Sequence, residues 1–483
     1  MGKFKIPSWL HTPSTGSSPG SDADKKRHST QSVSECSQHP ESKRDMATPS
    51  STMSKLDVDD PNLSSLNKGD DDVSRLIALA RRISAEADKL EAYLRESNTP
   101  QPGFGVDAPA DFPKLPDDIQ QSRQQIVYST MELGRLVRGP RETVRWGVWS
   151  FLDTLSLQII HNYGIAKSVP IEHPISLSEL QTKTTLDSTN LARVLRHAMT
   201  NNIFCEPKPG LIAHTAASRL LADDHDLQDW VGFNSEDIFP AAANVLNALK
   251  THPEATSLTT TGFNFAFNTV DKEPMFVTFG KDPARAKRMG GAMASLTGGE
   301  GYEMSHFVDN YDLSDVDGSG GTFVDIGGSH GFMSIALAKK WKNIKFVVQD
   351  LPKTVDSAPK PICDDASIAQ RVRLEAHDFF QEQSIKDADV YFFRWIIHNY
   401  STPYAVKILK NLVPALKPGA RIIINDHCLR EPGSENPWDE KLMRGMDLVM
   451  LALLNAQERQ EDEFRELFKA ADEGFVFKAS DNA

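Results

Sequence analysis

Several features that define whole classes of protein are scarce in this sequence. The 483 residues include only four cysteines, and no two of them are spaced as Cys-x-x-Cys. This argues against a disulfide framework and against a structural zinc site. The longest apolar run, residues 446–454, is interrupted by Asp447. Because a membrane helix needs about 20 apolar residues, we expect no association with a membrane.

Positive charge is also scarce relative to negative charge. Lys and Arg number 53 against 66 Asp and Glu, which gives a formal net charge of −13. This balance opposes attraction to polyphosphates, so we do not expect nucleic acid as a partner. The N-terminus has neither the apolar run of a secretory signal nor the Ser or Thr at position six that myristoylation requires. The expected compartment is the cytoplasm.

The first two predicted segments have little capacity to form a core. Residues 1–69 are rich in serine and poor in large apolar residues, which predicts disorder. Residues 70–119 begin with an amphipathic helix, whose apolar positions recur every three or four residues and include Leu76, Ile77 and Leu94. The segment ends in a linker rich in Pro and Gly. The helix is expected to pack on its own domain or on a partner, and a coiled coil is the alternative.

Residues 120–295 are predicted to form a mainly helical domain that contains a winged helix. A short helix, a second helix capped by Asp187 and two short strands around a turn at 208–210 follow one another. A winged helix that reads DNA usually exposes many Arg and Lys on its second helix and wing. The basic residues near these elements are only Arg193, Arg196 and Lys208. We therefore expect a role in packing or dimerisation.

Residues 296–483 change from a helical to an alternating pattern. Short β-rich runs alternate with helical patterns, and the runs cover residues 323–327, 345–349, 372–376, 390–394 and 421–425. Strands that alternate with helices predict a parallel, doubly wound sheet with both faces covered. The expected fold class is therefore α/β, with a Rossmann-like domain preceded by a mainly α winged-helix domain.

The first predicted strand of this sheet ends in a glycine-rich turn that includes Gly327 and Gly328. Asp350 ends the second strand, where a carboxylate can accept hydrogen bonds from both hydroxyls of a ribose. The dinucleotide fingerprint GxGxxG is absent, because Ser329 and Phe332 occupy its later glycine positions. The pattern favours an adenosyl cofactor other than NAD. An ordinary turn beside a solvated aspartate is the alternative.

Five motifs taken together resemble one known family. They cover residues 323–331, 349–352, 394–398, 416–419 and 422–426. They are similar to motifs of the caffeate-type O-methyltransferases that depend on S-adenosylmethionine, particularly the fungal branch, and the similarity extends over most of residues 120–475. The resemblance implies a Rossmann-like methyltransferase domain, S-adenosylmethionine as cofactor without a metal, and a homodimer formed through the winged-helix domain. It also implies a small hydroxylated acceptor, phenolic or enolic, from secondary metabolism.

The same resemblance assigns roles to individual residues. The cofactor would contact Gly327, Gly328, Asp350, Asp378, Phe379 and Arg394, the last at a position where many members have Lys. His398 matches the catalytic histidine. Asp426 and Glu458 match the two carboxylates that flank it, although plant members have Glu at the position of Asp426.

The chemistry of methyl transfer explains why a histidine and a carboxylate would be needed. A phenol with a pKa near 10 and a histidine with a pKa near 6.5 differ by about 3.5 units, or roughly 5 kcal/mol for complete proton transfer in water. A carboxylate on the far nitrogen of the ring stabilises imidazolium and narrows this gap. We therefore hypothesise that His398 is the base and that Asp426 and Glu458 orient it. In the alternative interpretation His398 is a core or loop histidine, Asp426 ends a strand and Glu458 caps a helix.

Two observations leave further alternatives open. Members of the family usually end in two antiparallel strands, and residues 474–483 have room for one strand but not for its partner. A catalytically degenerate relative that binds cofactor as a regulator or scaffold is therefore the alternative function. Apolar residues before the Rossmann-like domain are expected to line an acceptor pocket or to form core, and they are Met275, Phe276, Phe279, Met289 and Met293.

Overall fold

The computed structural model describes residues 73–299 and 302–478. The segment 1–69, predicted to be disordered, lies outside these residues. Within the described ranges, no helix combines the length and the apolar character needed to cross a membrane.

The predicted amphipathic helix is present as α1 (Arg75–Glu96). Its fully buried positions are Leu79 and Leu94, whereas Leu76 and Ile77 remain exposed. The helix prediction is confirmed, but only part of the predicted apolar face is buried. The helix packs mainly along one neighbouring helix.

That neighbour is α2 (Asp117–Arg138), which begins after the predicted linker. Arg75 of α1 forms a two-pronged ion pair with Glu132 of α2, with both N–O distances at 2.7 Å. The hydroxyl of Tyr128 donates to Asp439 at 3.0 Å, and this bond ties α2 to a helix near the C-terminus. The N-terminal helix pair is therefore attached to the rest of the chain by polar contacts.

Three further helices precede the predicted winged-helix elements, which follow in the predicted order. The helices are α3 (Pro140–Gly147), α4 (Phe151–Asn162), α5 (Ile165–Ser168), α6 (Leu177–Lys183) and α7 (Ser188–Met199). The strands are β1 (Ile175–Ser176), β2 (Cys205–Lys208) and β3 (Leu211–Ala213), which pair antiparallel in the order β1-β3-β2.

Two local features explain where these elements begin. Asp187 caps α7 as predicted, since its carboxylate accepts the backbone N–H groups of Thr189 and Asn190 at 3.0 and 3.1 Å. The first strand of the predicted wing, β2, begins only at Cys205, because the buried Phe204 has a φ of 63° and cannot extend a strand.

A helical layer connects this region to the sheet. Its helices are α8 (Ala216–Asp223), α9 (His225–Phe233), α10 (Phe239–Thr251), α11 (Gly262–Phe267), α12 (Met275–Lys281) and α13 (Pro283–Thr297), with one π-helical turn at Asn234–Ile238. Phe233, Phe263, Met275 and Phe279 form a buried cluster with residues near the C-terminal end of a later helix, among them Met450.

The second half is a five-stranded parallel sheet, as predicted. Its strands are β4 (Thr322–Ile326), β5 (Lys345–Asp350), β6 (Val372–Ala376), β7 (Val390–Arg394) and β8 (Arg421–Asn425), in the order β6-β5-β4-β7-β8. The accompanying helices are α14 (Ser305–Asn310), α15 (Ser314–Ser319), α16 (Phe332–Lys340), α17 (Pro352–Ser357), α18 (Ala366–Ala369), α19 (Thr402–Leu412), α20 (Pro437–Leu454) and α21 (Glu461–Ala471).

Both faces of the sheet are covered, because successive strand residues point to opposite sides. Phe323 of β4 and Phe392 of β7 belong to a core beneath α14, α15 and α16, whereas Val324 and Phe393 belong to a core beneath α19 and α21. Apolar residues at consecutive positions of these strands are what a sheet buried on both faces requires.

The chain beyond α21 differs from the prediction of one more strand. Within the described part, residues 475–478 form neither helix nor strand. Phe475 and Phe477 instead lie edge to face on Phe468 of α21, with ring centroids 5.5 and 6.4 Å away. These contacts cover the apolar side of α21 without adding to the sheet.

Candidate active site

The strand order defines where a ligand can bind. β4 lies at the centre, with β5 and β6 on one side and β7 and β8 on the other. In such sheets ligands bind in a crevice at the carboxyl ends of the strands, at the point where the strand order reverses. Gly327, Asp350 and Arg394 lie at or just beyond the ends of β4, β5 and β7, so the topology brings them to one edge.

The turn after β4 accepts only glycine at two adjacent positions. Gly327 has a φ of +74°, and a Cβ atom there would lie 2.5 Å from a side-chain carbon of Ile396. A Cβ atom on Gly328 would lie 2.5 Å from the carboxyl carbon of Asp325. The backbone therefore passes close to its neighbours and leaves no room for a Cβ atom at either position.

Asp350 is half-buried at the end of β5 and holds this turn in place. One carboxylate oxygen accepts the backbone N–H of Ser329 at 2.9 Å, and the other accepts that of Leu351 at 2.7 Å. Each oxygen keeps a further lone pair. Asp350 therefore retains the capacity to accept both ribose hydroxyls, which fits an adenosyl group.

Asp378 and Phe379 follow β6 on the same edge. Asp378 accepts the backbone N–H of Phe380 at 2.9 Å. The Phe379 ring packs against the ring of Tyr400, with centroids 5.6 Å apart. Burial raises the pKa of Tyr400, and the carboxylates of Asp378 and Asp350 raise it further. The tyrosine thus stays protonated beside these carboxylates, and the two rings pack edge to face next to Asp378.

Arg394 ends β7 and is held by groups of the protein. Its guanidinium donates to Asn425 Oδ1 at 2.6 Å and to the Tyr302 carbonyl at 2.9 Å. Burial lowers the pKa of Arg394, while the charges of Asp325 and Asp426 act in the opposite direction. The side chain therefore joins β7 to the segment before α14, a contact that the sequence does not reveal.

Asp325 is a further polar residue of this edge that sequence reasoning missed. It lies within β4, is 1% exposed and accepts the Ser334 hydroxyl at 2.7 Å. Burial raises the pKa of Asp325 to about 6. A single acidic residue inside an otherwise apolar strand is the signal that could have identified it. Its carboxylate lies close to Gly328 and, through the hydroxyl of Ser334, connects the turn to α16.

His398 lies on a short 3₁₀ turn, Ile397–Asn399, just beyond β7. Its Nδ1 lies 2.7 Å from Glu458 Oε1, and both side chains are buried. The backbone N–H of His398 donates to Asp426 Oδ2 at 2.8 Å, and that of Ile396 donates to Oδ1 at 3.3 Å. The three predicted residues therefore meet, but only Glu458 contacts the ring, whereas Asp426 holds the backbone.

The surroundings favour the protonated form of this histidine. Burial alone would lower the pKa of His398, but the bond to Glu458, the charge of Asp426 and the Trp395 carbonyl together raise it above its ordinary value. Burial is also the main cause that raises the pKa of Asp426. A raised histidine pKa narrows the gap to the pKa of a phenol, which suits a general base.

Glu458 reaches the ring through a small parallel pairing beyond the main sheet. β9 (Cys428–Leu429) pairs with β10 (Arg459–Gln460), and Arg459 lies opposite Cys428. This register places the residue before β10 beside the residues that follow β8. Asp447 of α20 accepts the backbone N–H of Glu458 at 2.9 Å. The backbone at Glu458 is thus fixed by two elements that are distant in sequence from the histidine.

Comparison with known proteins adds the family. The family model for an O-methyltransferase domain matches residues 257–476. A chlorophenol O-methyltransferase from Trichoderma longibrachiatum is 67% identical over 405 residues, which cover 84% of this chain and 87% of the relative. This chain belongs to the O-methyltransferase family. The O-methyltransferase gsfB from Penicillium aethiopicum is 34% identical over 403 residues, or 83% of this chain and 94% of the relative.

A solved structure shows the same fold. The crystal structure of OxaC in complex with sinefungin and meleagrin matches with a TM-score of 0.62 and 22% sequence identity, over 81% of this chain and 93% of that one. Membership of the family confirms the prediction of an S-adenosylmethionine-dependent O-methyltransferase of the fungal secondary-metabolite type. Among the residues that the structure describes, no three His, Cys, Asp or Glu side chains are grouped so that they could hold a metal ion.

In this O-methyltransferase an aromatic cluster that the sequence did not reveal lies beside Arg394. The rings of Tyr302, Trp395 and His427 lie with centroids 5.5 to 6.3 Å apart, and the Arg394 guanidinium lies 4.9 Å from the Trp395 ring centroid. Trp395 has a φ of 53°, a costly conformation for a bulky residue. In this conformation the indole packs against the other two rings, and the Trp395 carbonyl interacts with His398.

The apolar residues expected to line the acceptor pocket divide between core and surface. Met275 and Phe279 are buried in the cluster beneath α11, which supports the core interpretation for these two. Met289 and Met293 of α13 are partly buried against that cluster, and Phe276 is exposed. The second set retains contact with open space, so only these three can still face an acceptor.

Proposed function

We propose that this O-methyltransferase methylates the phenolic or enolic hydroxyl of a small aromatic or polyketide-like molecule, with His398 as the general base. The observation that carries the proposal is the buried 2.7 Å contact between His398 Nδ1 and Glu458 Oε1. It supports a tautomer in which Nδ1 holds the proton and Nε2 is the basic nitrogen. The 67% identity to a chlorophenol O-methyltransferase supports a phenolic acceptor.

The residues of the site divide the work in the following way. S-adenosylmethionine, when bound, supplies an activated methyl group. Gly327, Gly328 and Asp350 hold the cofactor at the edge of the sheet; the remaining contacts proposed for it are those of Asp378, Phe379 and Arg394. Alignment of the two reactants accounts for about 7 to 11 kcal/mol of the barrier in well-oriented reactions.

His398 then acts on the acceptor. Its Nε2 takes the hydroxyl proton, and the carboxylate of Glu458 stabilises the imidazolium that forms. Asp426 keeps the turn in position through the backbone N–H of His398. A positioned base typically contributes about 10²- to 10⁴-fold to the rate, so the base is the smaller of the two contributions.

We further propose that the enzyme acts as a cytoplasmic homodimer formed through the helical domain, without a nucleic-acid partner. Support comes from α3, α4 and the turn between them, where Val144, Trp146, Val148, Trp149 and Phe151 are all at least 47% exposed. So many large apolar side chains in one stretch are typical of an interface. Multi-angle light scattering of a Trp149→Glu variant tests this, and a monomer is expected.

A labelled-methyl assay tests the catalytic proposal. S-adenosylmethionine with a labelled methyl group is incubated with the enzyme and a panel of phenols that includes chlorophenols. We expect transfer to at least one phenol, and a loss of about 100-fold or more for His398→Ala with cofactor affinity unchanged. His306→Ala, at an exposed histidine on α14, is the matched control. Normal turnover by His398→Ala would contradict the assignment of the base.

A further inference from the structure

Arg459, the residue after Glu458, has the largest side chain among the described residues that are fully buried. It is 1% exposed, and its guanidinium donates to the Ile397 carbonyl at 3.2 Å and to the Tyr400 carbonyl at 2.7 Å. These two carbonyls lie one residue before and two residues after His398. The arginine therefore holds both ends of the turn that carries the histidine.

We propose that Arg459 is a positioning residue for the general base. It fixes the turn of His398 against Glu458, and its charge helps to set the pH range in which His398 accepts a proton. The inference rests on the proposed role of His398. It assigns a task to a side chain that the catalytic mechanism above does not use.

The segment that consists of Glu458 and β10 contacts the turn of His398 in two ways. Glu458 binds the imidazole, and Arg459 binds the backbone on either side of it, so ring and turn are held from adjacent positions of the same segment. A third bond, from Arg459 to the Gln457 carbonyl at 3.4 Å, ties the guanidinium to its own strand. Since a displacement of about 1 Å in an active site can reduce the rate about 100-fold, such bracing has a direct catalytic value.

The groups that Arg459 contacts also indicate a specific role for this side chain. Within the described residues, the Arg459 guanidinium contacts carbonyl groups and forms no ion pair with a carboxylate. A buried charge is expensive, and an apolar side chain of similar volume would often stabilise a core equally well or better. Burial lowers the pKa of Arg459, yet a guanidinium remains charged at any ordinary pH.

The charges around the base explain why a buried cation matters here. His398 is faced by Glu458, by Asp426 beyond β8 and by His427. Arg459 is faced by the same two carboxylates and also by Asp447 of α20 and Glu463 of α21. The carboxylates favour imidazolium, and the cation of Arg459 opposes them. Removal of that cation should therefore raise the pKa of His398 further and move the acid limb of the pH profile to higher pH.

Two substitutions separate geometry from charge. Arg459→Met removes both the fork of donors and the charge, whereas Arg459→Lys keeps the charge and loses the fork. We expect Arg459→Met to lower kcat about 10- to 100-fold and to move the acid limb of kcat/KM upward by about one pH unit. Arg459→Lys should also lower kcat, by a smaller factor, but leave the acid limb at its wild-type position.

Arg371 offers a matched control on the other core of the sheet. Its guanidinium likewise donates to backbone carbonyls, those of Ala338, Trp341 and Ile344, at 2.8 to 3.2 Å. Arg371→Met should lower the melting temperature without moving the pH profile. Melting temperature and calorimetric cofactor affinity are measured for every variant, so that kinetics are compared only between folded, cofactor-binding proteins.

The outcomes distinguish this inference from the proposal on which it rests, that His398 is the general base. Full turnover by His398→Ala would remove the base and this inference together. An inactive His398→Ala combined with a folded Arg459→Met that has the wild-type pH profile would overturn the inference alone and leave Arg459 a structural residue. If Arg459→Met does not fold, Arg459→Lys decides, because wild-type kcat in that variant would contradict the bracing role.

Discussion

The two halves of the active site are built in different ways. On the cofactor side, Gly328 follows β4 and lies close to Asp325 of that strand, and the next residue, Ser329, donates to Asp350 at the end of the neighbouring β5. On the base side, His398 depends on Asp426, 28 positions away, and on Glu458, 60 positions away. The comparison teaches that the first half follows from the sheet itself, whereas the second exists only when three separate segments come together.

This difference determines which substitution should do most harm. Glu458→Gln keeps the size of the side chain but removes the charge that stabilises imidazolium. We expect kcat to fall about 100-fold with cofactor affinity unchanged. The acid limb of kcat/KM should move to lower pH, because the raised pKa of His398 depends on Glu458 and the base acts when it is neutral. Glu466→Gln, exposed on α21, is the control, and unchanged kcat in Glu458→Gln would contradict the account.

The reciprocal change tests the cofactor half. Asp350→Ala removes an acceptor for the backbone N–H groups of Ser329 and Leu351 and the proposed ribose contact. Because a hydrogen bond to a charged group is worth about 1.5 to 3 kcal/mol, the Kd for S-adenosylmethionine should rise about 10- to 100-fold. Calorimetry measures this value, with Asp356→Ala on α17 as control. An unchanged Kd would show that the turn holds the cofactor without Asp350.

A stability measurement sharpens the same comparison. Burial raises the pKa of Asp325 to about 6, against about 3.9 in an unfolded chain. Ionisation therefore destabilises the folded state, and stability should fall as pH rises from about 4 to about 6. Asp325→Asn should be more stable than wild type by about 3 kcal/mol at pH 8 and nearly equal to it at pH 4.

Urea unfolding at the two pH values checks this prediction. Asp389→Asn is an informative control, because ion pairing with Lys417 and a hydrogen bond from Thr322 overcome burial and lower the pKa of Asp389. Its stabilising contribution is present above the unfolded pKa, so this variant should lose stability at pH 8. A gain for Asp325→Asn that is equal at both pH values would show that charge is not its cause.

The smallest effect is expected where the two halves meet. Arg394→Lys keeps the charge but cannot reach both Asn425 and the Tyr302 carbonyl with a planar fork. The loss of one such bond should lower kcat/KM about 2- to 10-fold. Arg373→Lys, at an exposed arginine on β6, is the control. A loss above 100-fold would contradict this prediction, because it exceeds what the loss of one hydrogen bond accounts for.

Much of the fold could be predicted because its signals are local. The five strands of the main sheet lie within one residue of their predicted bounds, since runs of apolar β-formers in a buried sheet leave little choice of register. The turn after β4 and Asp350 could be predicted for the same reason, because each lies within a few residues of a strand end in the sequence.

The rest depended on contacts that no local pattern records. Tyr302 meets Arg394 across 92 positions through a backbone carbonyl, which any residue type supplies. For the same reason the bonds from Arg459 to the carbonyls of Ile397 and Tyr400 leave no trace in the sequence. Which of the two carboxylates binds the ring could not be predicted either, because a carboxylate can bind a backbone N–H, as Asp426 does, as readily as an imidazole.

The central claim is that binding of the cofactor and activation of the acceptor can be separated. The most direct test titrates S-adenosylmethionine into Asp350→Ala and His398→Ala by calorimetry and then measures turnover of one accepted phenol at saturating cofactor. We predict that Asp350→Ala loses affinity and regains most of its kcat at saturation, whereas His398→Ala keeps its affinity and loses kcat. Equal losses of affinity and kcat in both variants would contradict the account.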